Sequence, residues 1–398
     1  MIPHLSNLIF RFNQYIQNLT STNKGTLILS VTIYLLFSSI YFPESIFKKI
    51  NKSFNQNEIL IQDFVNHKID HPLEATKNKD EGDHFMKREL RISPYLLGKI
   101  FHLNALKLFY IQSLSLIAFI WFFFGTIKKL MNNDAGIAFW SVLAMLFTYV
   151  GHSFNYDTLF YDSFAYLGLM LSIYFYDKKI SILILVFSFF VDERAVFPSL
   201  ILPIYFLLNK YEISQIPKGF IGSLKILVLK NKSFYFLMVS LFIYGVIRII
   251  LYFQFGLRTP VGTNSGVYIG TAFRFGMNMY YAIFSSFKFY FIFPILTIIG
   301  LTRNRYYLIA FFYFLIFFAN IIVSTSVEDV TRSMSFSFIL IFITFKLVNR
   351  FNEMRPFRHI LYLMFIVHLI TPTYTLLLSL IPMEPWRWGE TFLNLLQH

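Results

Sequence analysis

Three adjacent charged side chains, Asp192-Glu193-Arg194, stand between two apolar runs at 180–190 and 196–208. In hydrocarbon each such charge costs about 2.5–3.5 kcal/mol even on a lenient insertion scale, unless it meets water or a partner. A chain that keeps three together has either an internal ion pair capping a helical hairpin or a working site. The chemistry open to these residue types is specific. A carboxylate takes the proton from a hydroxyl as it attacks. Arginine and lysine hold phosphate, arginine through paired N–H donors. Acids also hold a divalent cation, Mg or Mn, that assists a departing phosphate.

The residues able to join that triplet are scattered. Asp63, Asp80, Glu81 and Asp83 precede it and, with Asp192 and Glu193, are the candidate bases or metal contacts. His84, Lys87, Arg88 and Arg91 follow the second acidic group and, with Arg194, are candidate substrate-binding residues. His152 and Asp157 lie between two later apolar runs, with Asp162 one turn on; Arg258 and Arg274 occupy a Gly-rich connection, and Glu328, Asp329 and Arg332 a short one. Arg248 and Lys288 are embedded in apolar runs, where ionisable groups are functional candidates by default. Each has a blander reading: solvated loop charges, helix-end partners for His152, Asp157 and Asp329, snorkelling for Arg248 and Lys288. His67 and His71 have the spacing of a helical metal pair, but Pro72 follows and spacing fixes no third ligand. The lone His368 reads as a hydrogen-bonded core residue.

These residues need elements to carry them, and composition says which. The chain is 56% hydrophobic and 14% charged, against about 25% charged in soluble domains. That places it in a bilayer. Runs near the length of about 20 residues that a span needs occur at 25–42, 106–125, 135–151, 163–176, 234–253, 279–301, 306–323, 334–348 and 359–381, besides the broken pair. No regular alternation suggests a barrel, so the expectation is an all-α polytopic membrane protein of about eleven membrane-embedded helices in one domain, 1–398. Short basic loops set the N-terminus on the cytoplasmic side. Residues 44–105 then form a large external loop with amphipathic helices, and 209–233 a basic cytoplasmic segment on anionic lipid. The arms of the 180–208 pair are too short to cross, which sets the Asp192–Arg194 tip in a recessed wet depression. One long tilted helix is the competing reading.

The net charge of +14 comes mostly from short segments flanking apolar runs, so it is no sign of nucleic acid. With no cysteine, thiol catalysis and Cys-ligated zinc are excluded. Walker, dinucleotide, nucleophile-elbow and zincin motifs are missing.

The many spans, the inward N-terminus, the first external loop with Asp63, Asp70, Asp80, Glu81 and Asp83, and the outward-opening charges resemble the GT-C superfamily of integral-membrane glycosyltransferases. The resemblance implies transfer of a sugar from a polyprenyl-phosphate donor to a glycan or protein acceptor at the outer face, expected in a bacterial cytoplasmic membrane. It implies a first-loop acid as base or metal contact, with Arg194, Arg332 and Lys288 gripping phosphate. The chain departs from the family pattern in having Glu44 alone, not an acidic pair, after the first span. Two other readings stay open: a polymerase or ligase of lipid-linked polysaccharide relying on Arg258 and Arg274, and a transporter or flippase with alternately accessible charges.

Overall fold

The computed structural model describes residues 2–41, 56–75, 88–156, 161–212, 215–217, 219–258, 267–351, 354–376 and 380–382. The order of elements is α1 (Ile2–Leu19), α2 (Asn23–Tyr41), α3 (Gln56–Asp70), α4 (Ile92–Ile100), α5 (Ala105–Leu130), α6 (Ala135–Leu146), α7 (Tyr149–Tyr156), α8 (Asp162–Tyr174) and α9 (Ile180–Val191). After a 3-10 turn, Glu193–Ala195, and a single helical turn, Val196–Ser199, come α10 (Leu202–Lys210), α11 (Phe220–Leu229), α12 (Lys232–Phe255) and α13 (Met277–Phe287). Next come α14 (Ile292–Arg303), α15 (Tyr307–Thr325), α16 (Val330–Ser335), α17 (Ile341–Arg350), α18 (Met354–Ile370) and an antiparallel ribbon, β1 (Tyr374–Leu376) on β2 (Leu380–Pro382).

Five of these helical stretches are long and apolar enough to cross a membrane: Ala105–Leu130, Lys232–Phe255, Met277–Arg303, Tyr307–Thr325 and Val330–Arg350. A sixth follows if α6 and the start of α7, bent by 66° at their junction, count together. Among the described residues the protein is an all-helical membrane protein apart from this ribbon. Helix α5 shows why such a sequence commits to a span. Its 26 residues rise about 39 Å, beyond the roughly 30 Å hydrocarbon core. Asn104 starts it by accepting from Lys107 N at 2.9 Å, and Lys128 and Lys129 close it where the dipole favours cations.

In lipid, helices gain little from the hydrophobic effect against one another, so packing and hydrogen bonds hold the bundle. Val330–Arg350 is the innermost span and Lys232–Phe255 the outermost. Phe119 and Phe123 of α5 meet Phe338 and Phe342 of the inner span at 5.6 and 5.2 Å between ring centres.

The chain reverses at the charged triplet. Helix α9 ends at Val191, Asp192 is extended (φ −157°), and α10 runs back. Tyr176, before the first arm, meets Tyr205 in the second at 5.1 Å, which the single long helix forbids. Other sequence expectations are corrected. The 135–151 run is two helices, and the connection holding His152 is helical rather than a loop. The 359–381 run stops as helix at Ile370, because Pro372 disfavours helical geometry at Thr371, and the ribbon takes over. Helix α1, unexpected from the apolar runs, is fastened by Asn13 between Tyr362 and Trp140 (2.8 and 3.1 Å) and by Gln17, which accepts from Ala135 N at 2.8 Å. In the first connection, α3 packs on α4 and α5, and Asn66 caps α5 by accepting from Ala105 N at 2.8 Å.

Candidate functional site

Asp162 opens α8, where a carboxylate suits the positive end of a helix. The residue before it, Tyr161, adopts φ +63°, a left-handed conformation uncommon for a bulky residue. Two contacts hold it there: its hydroxyl donates to Ala105 O at 3.1 Å, and its ring stacks on Phe164. Asp162 is thereby fixed in the interior, fully buried.

Three arginines converge on it. Arg91, just ahead of α4, donates from Nη1 to Oδ1 at 2.8 Å. Arg194, in the reversal, donates from Nη2 to Oδ2 at 3.1 Å, and Arg332, in α16, donates from Nε to the same oxygen at 2.7 Å. Asp192 ties two of them together. Its Oδ1 accepts from Arg194 N and Nε at 3.0 and 2.7 Å, and its Oδ2 lies 2.6 Å from Arg194 Nη2 and 2.8 Å from Arg91 Nη2. Arg332 Nη1 donates to Asp329 Oδ2 at 2.8 Å, and Arg194 Nη1 to Ser333 Oγ at 2.7 Å. The Arg194 guanidinium also lies over the Phe336 ring at 5.2 Å.

Arg88 is buried beside the group, near enough that Arg91, Arg332 and Asp162 act on its charge. Burial, then the charge of Arg91, pushes its pKa down to about 10, so it stays protonated at neutral pH. Four guanidiniums therefore stand among three aspartates, with Glu193 close enough to feel Arg91. The carboxylates are unequal. Burial alone would raise Asp192, but Arg194 and Arg91 outweigh it and hold the group well below the usual carboxylate range. With four donors on its two oxygens, Asp192 has its accepting capacity filled. Asp329 moves the other way, raised by burial against the pull of Arg332. Its Oδ1 is buried with no hydrogen-bond partner among the described residues. Glu193 is also raised, by burial and then by the neighbouring Asp192 charge, with Arg91 and more weakly Arg248 pulling it down.

The structure thus brings Arg88, Arg91, Asp162, Asp192, Arg194, Asp329 and Arg332 together, with Glu193 on the flank facing Arg248. Arg248 itself donates to Tyr244 Oη at 3.1 Å. The other candidates lie elsewhere. Asp63 is exposed on α3, and Arg258 is exposed beyond α12. Arg274 pairs with Glu328 at a partly exposed position. His152 is buried in α7, its ring 5.5 Å from Phe37. Lys288 is buried at a kink (φ +50°) and gives its ammonium to the carbonyls of His368 (2.8 Å) and Thr371 (2.5 Å). His368 in turn accepts from Phe289 N through Nε2 at 3.0 Å and meets Ala144 O through Nδ1 at 2.9 Å, a core histidine as the sequence reads. Lys288 thus fastens the C-terminal end of α18. Asp80, Glu81, Asp83, His84, Lys87 and Asp157 lie outside the described residues. Sequence reading missed Ser333, four residues after Asp329 and bonded to its carbonyl at 2.9 Å, and Tyr166, whose hydroxyl donates to Arg332 O at 2.9 Å. Neither residue type is distinctive.

Arginines already occupy Asp162 and Asp192, and Asp329 Oδ1 is a single open aspartate oxygen among the described residues, so this cluster does not fit a magnesium or manganese ion, which needs several free oxygen ligands. An anion meets the opposite reception, since a phosphate competes with the carboxylates for forked donors.

No protein-family model, no curated protein and no solved structure matches the chain.

Proposed function

We propose that the protein is a membrane glycosyltransferase of the GT-C type, taking a sugar from a polyprenyl-phosphate donor to an acceptor hydroxyl at the outer face of a membrane. One observation carries this: arginines 71, 32 and 170 residues away from Asp162 in the chain meet on that carboxylate. A lipid phosphate arriving at the cluster exchanges with the aspartates for the same donors, and Asp162 and Asp192 keep the guanidiniums aimed meanwhile. The proton acceptor in this reading is Asp329. It alone in the group combines a raised pKa with a buried oxygen that has no hydrogen bond among the described residues, and a base tuned towards neutrality is the more effective one. Attack by the acceptor oxygen on the sugar carbon forms the new glycosidic bond and breaks the carbon–oxygen bond to phosphate. The acceptor's proton passes to Asp329, and the phosphate leaves with the electron pair among the arginines.

Sidedness follows the proposed topology of about eleven embedded helices with the N-terminus inside. Lys178, Lys179 and Lys210 stand at the base of the 180–210 hairpin and Arg194 at its tip, so basic loops inside put the cluster outside. At about 18 Å each, the arms reach only part-way across, which sets the tip below the outer surface.

A second reading, a ligase or polymerase of lipid-linked polysaccharide, draws on Arg88 and Arg91 of the first connection standing in the cluster while Asp63 lies exposed away from it. Transfer of labelled sugar in proteoliposomes distinguishes the two. Under the transferase reading Asp329→Asn lowers the rate about 100-fold or more, with the melting temperature close to wild type. A variant that transfers sugar at the wild-type rate sinks Asp329 as base and leaves the ligase reading ahead.

A further inference from the structure

His67 and His71 are one helical turn apart at the end of α3, and Pro72 is where the helix gives way. The chain then folds back. His71 N donates to His67 O at 2.8 Å, Glu74 N donates to His71 O at 3.2 Å, and buried Lys68 donates from Nζ to the Glu74 carbonyl. The main chain of Glu74 is held from two sides, and its carboxylate is set beside the histidines. His67 Nε2 lies 3.4 Å from Glu74 Oε2, and the two imidazole ring centres are 5.1 Å apart. One ligand atom from each of the three residues lies within 4.8 Å of the others.

Those separations are close to what a metal imposes. Zinc–ligand bonds of about 2.0–2.2 Å in tetrahedral array put neighbouring donor atoms about 3.4 Å apart. The His67–Glu74 pair already stands at that spacing. From the 4.8 Å limit the remaining adjustment is at most about 1.4 Å, and the side chains of His67 and His71 are exposed. Two imidazoles and a carboxylate, leaving a fourth position to water, suit zinc and its neighbours; magnesium and calcium call for oxygen ligands throughout. An ion pair between a protonated histidine and Glu74 explains the 3.4 Å contact alone but gives His71 no reason to be there.

We propose that His67, His71 and Glu74 form a binding site for a divalent transition metal, zinc first, which clips the end of α3 to the turn beyond Pro72. Helix α3 packs through Ile69 against Gly98 of α4, so close that a Cβ at Gly98 would meet Ile69 Cγ1 at 2.7 Å. Arg91 immediately precedes α4, so the metal steadies the support of one cluster arginine. The site stands apart from the cluster and does not rest on the transferase reading.

The test is a titration of Co2+ into the full chain, without a polyhistidine tag, in detergent micelles. Wild type is expected to bind one Co2+ per chain with the intense visible bands of a four-coordinate ion, displaced by Zn2+. The His67→Gln, His71→Gln double variant is expected to lose the bands, and Glu74→Gln to bind at least about tenfold more weakly. Melting of the metal-free proteins provides the folding check, and a chelator should lower the melting temperature of zinc-loaded wild type but not of the double variant. Bands of equal intensity in wild type and double variant, or no saturable binding by wild type up to millimolar metal, would overturn the site.

Discussion

Asp162 carries more of the cluster's order than any other residue in it. Three buried or half-buried arginines lean on its two oxygens, and the asparagine that matches its shape supplies one acceptor and no charge. Removing one partner from a buried ionic group typically costs about 3–5 kcal/mol, because the remaining charges stay desolvated. We expect Asp162→Asn to lower the melting temperature of the purified protein markedly. Asp63→Asn, on the exposed face of α3, should leave it unchanged; equal melting of the two variants would show that the cluster adds no stability. The sequence made Asp192–Arg194 conspicuous because charges between apolar runs are expensive. It could not give Asp162 its partners. Chain separations of 71 and 170 residues carry no local signal, and an aspartate next to a tyrosine is an ordinary helix start. Acids such as Asp63 drew attention by residue type, yet type alone says nothing of which side of a helix faces the bundle.

Elements show the same division. The break at the triplet was legible because apolar arms of that length cannot span, and the reversal follows. The bend between α6 and α7 was not, and its mark in the sequence is a single glycine that the bent backbone requires. A Cβ on Gly151 would lie 2.3 Å from the carbonyl oxygen and 2.4 Å from the Cα of Leu146, backbone atoms that cannot step aside. Gly168 is also crowded, but its obstacle is the Ser188 hydroxyl at 2.0 Å, which a rotamer change relieves. Gly151→Ala should therefore destabilise by about 3 kcal/mol and Gly168→Ala by nearer 1. Thermal or denaturant unfolding in detergent checks the order, and a reversed order would mean that the bend is not set by this contact. Helix α1 escaped notice for another reason. Its polar Asn13 and Gln17 do the docking, and hydropathy does not register hydrogen bonds.

At the scale of the whole molecule, the bundle buries one span and exposes another to lipid, and it gathers arginines from the first connection, the hairpin tip and α16 into one place. Composition announced the membrane and the helices, and charge placement announced a hairpin; convergence needed coordinates. The use proposed for that convergence rests on the phosphate of a lipid donor. The most direct test compares two ligands that differ only there, a polyprenyl phosphate and the polyprenol of the same length, by the melting temperature of the wild-type protein in detergent. Ligand at a hundred times its dissociation constant stabilises by about 2.7 kcal/mol. The expected result is a clear upward shift with the phosphate and none with the alcohol. Equal shifts from both, or no shift from either, would contradict a phosphate-gripping role for the arginine cluster.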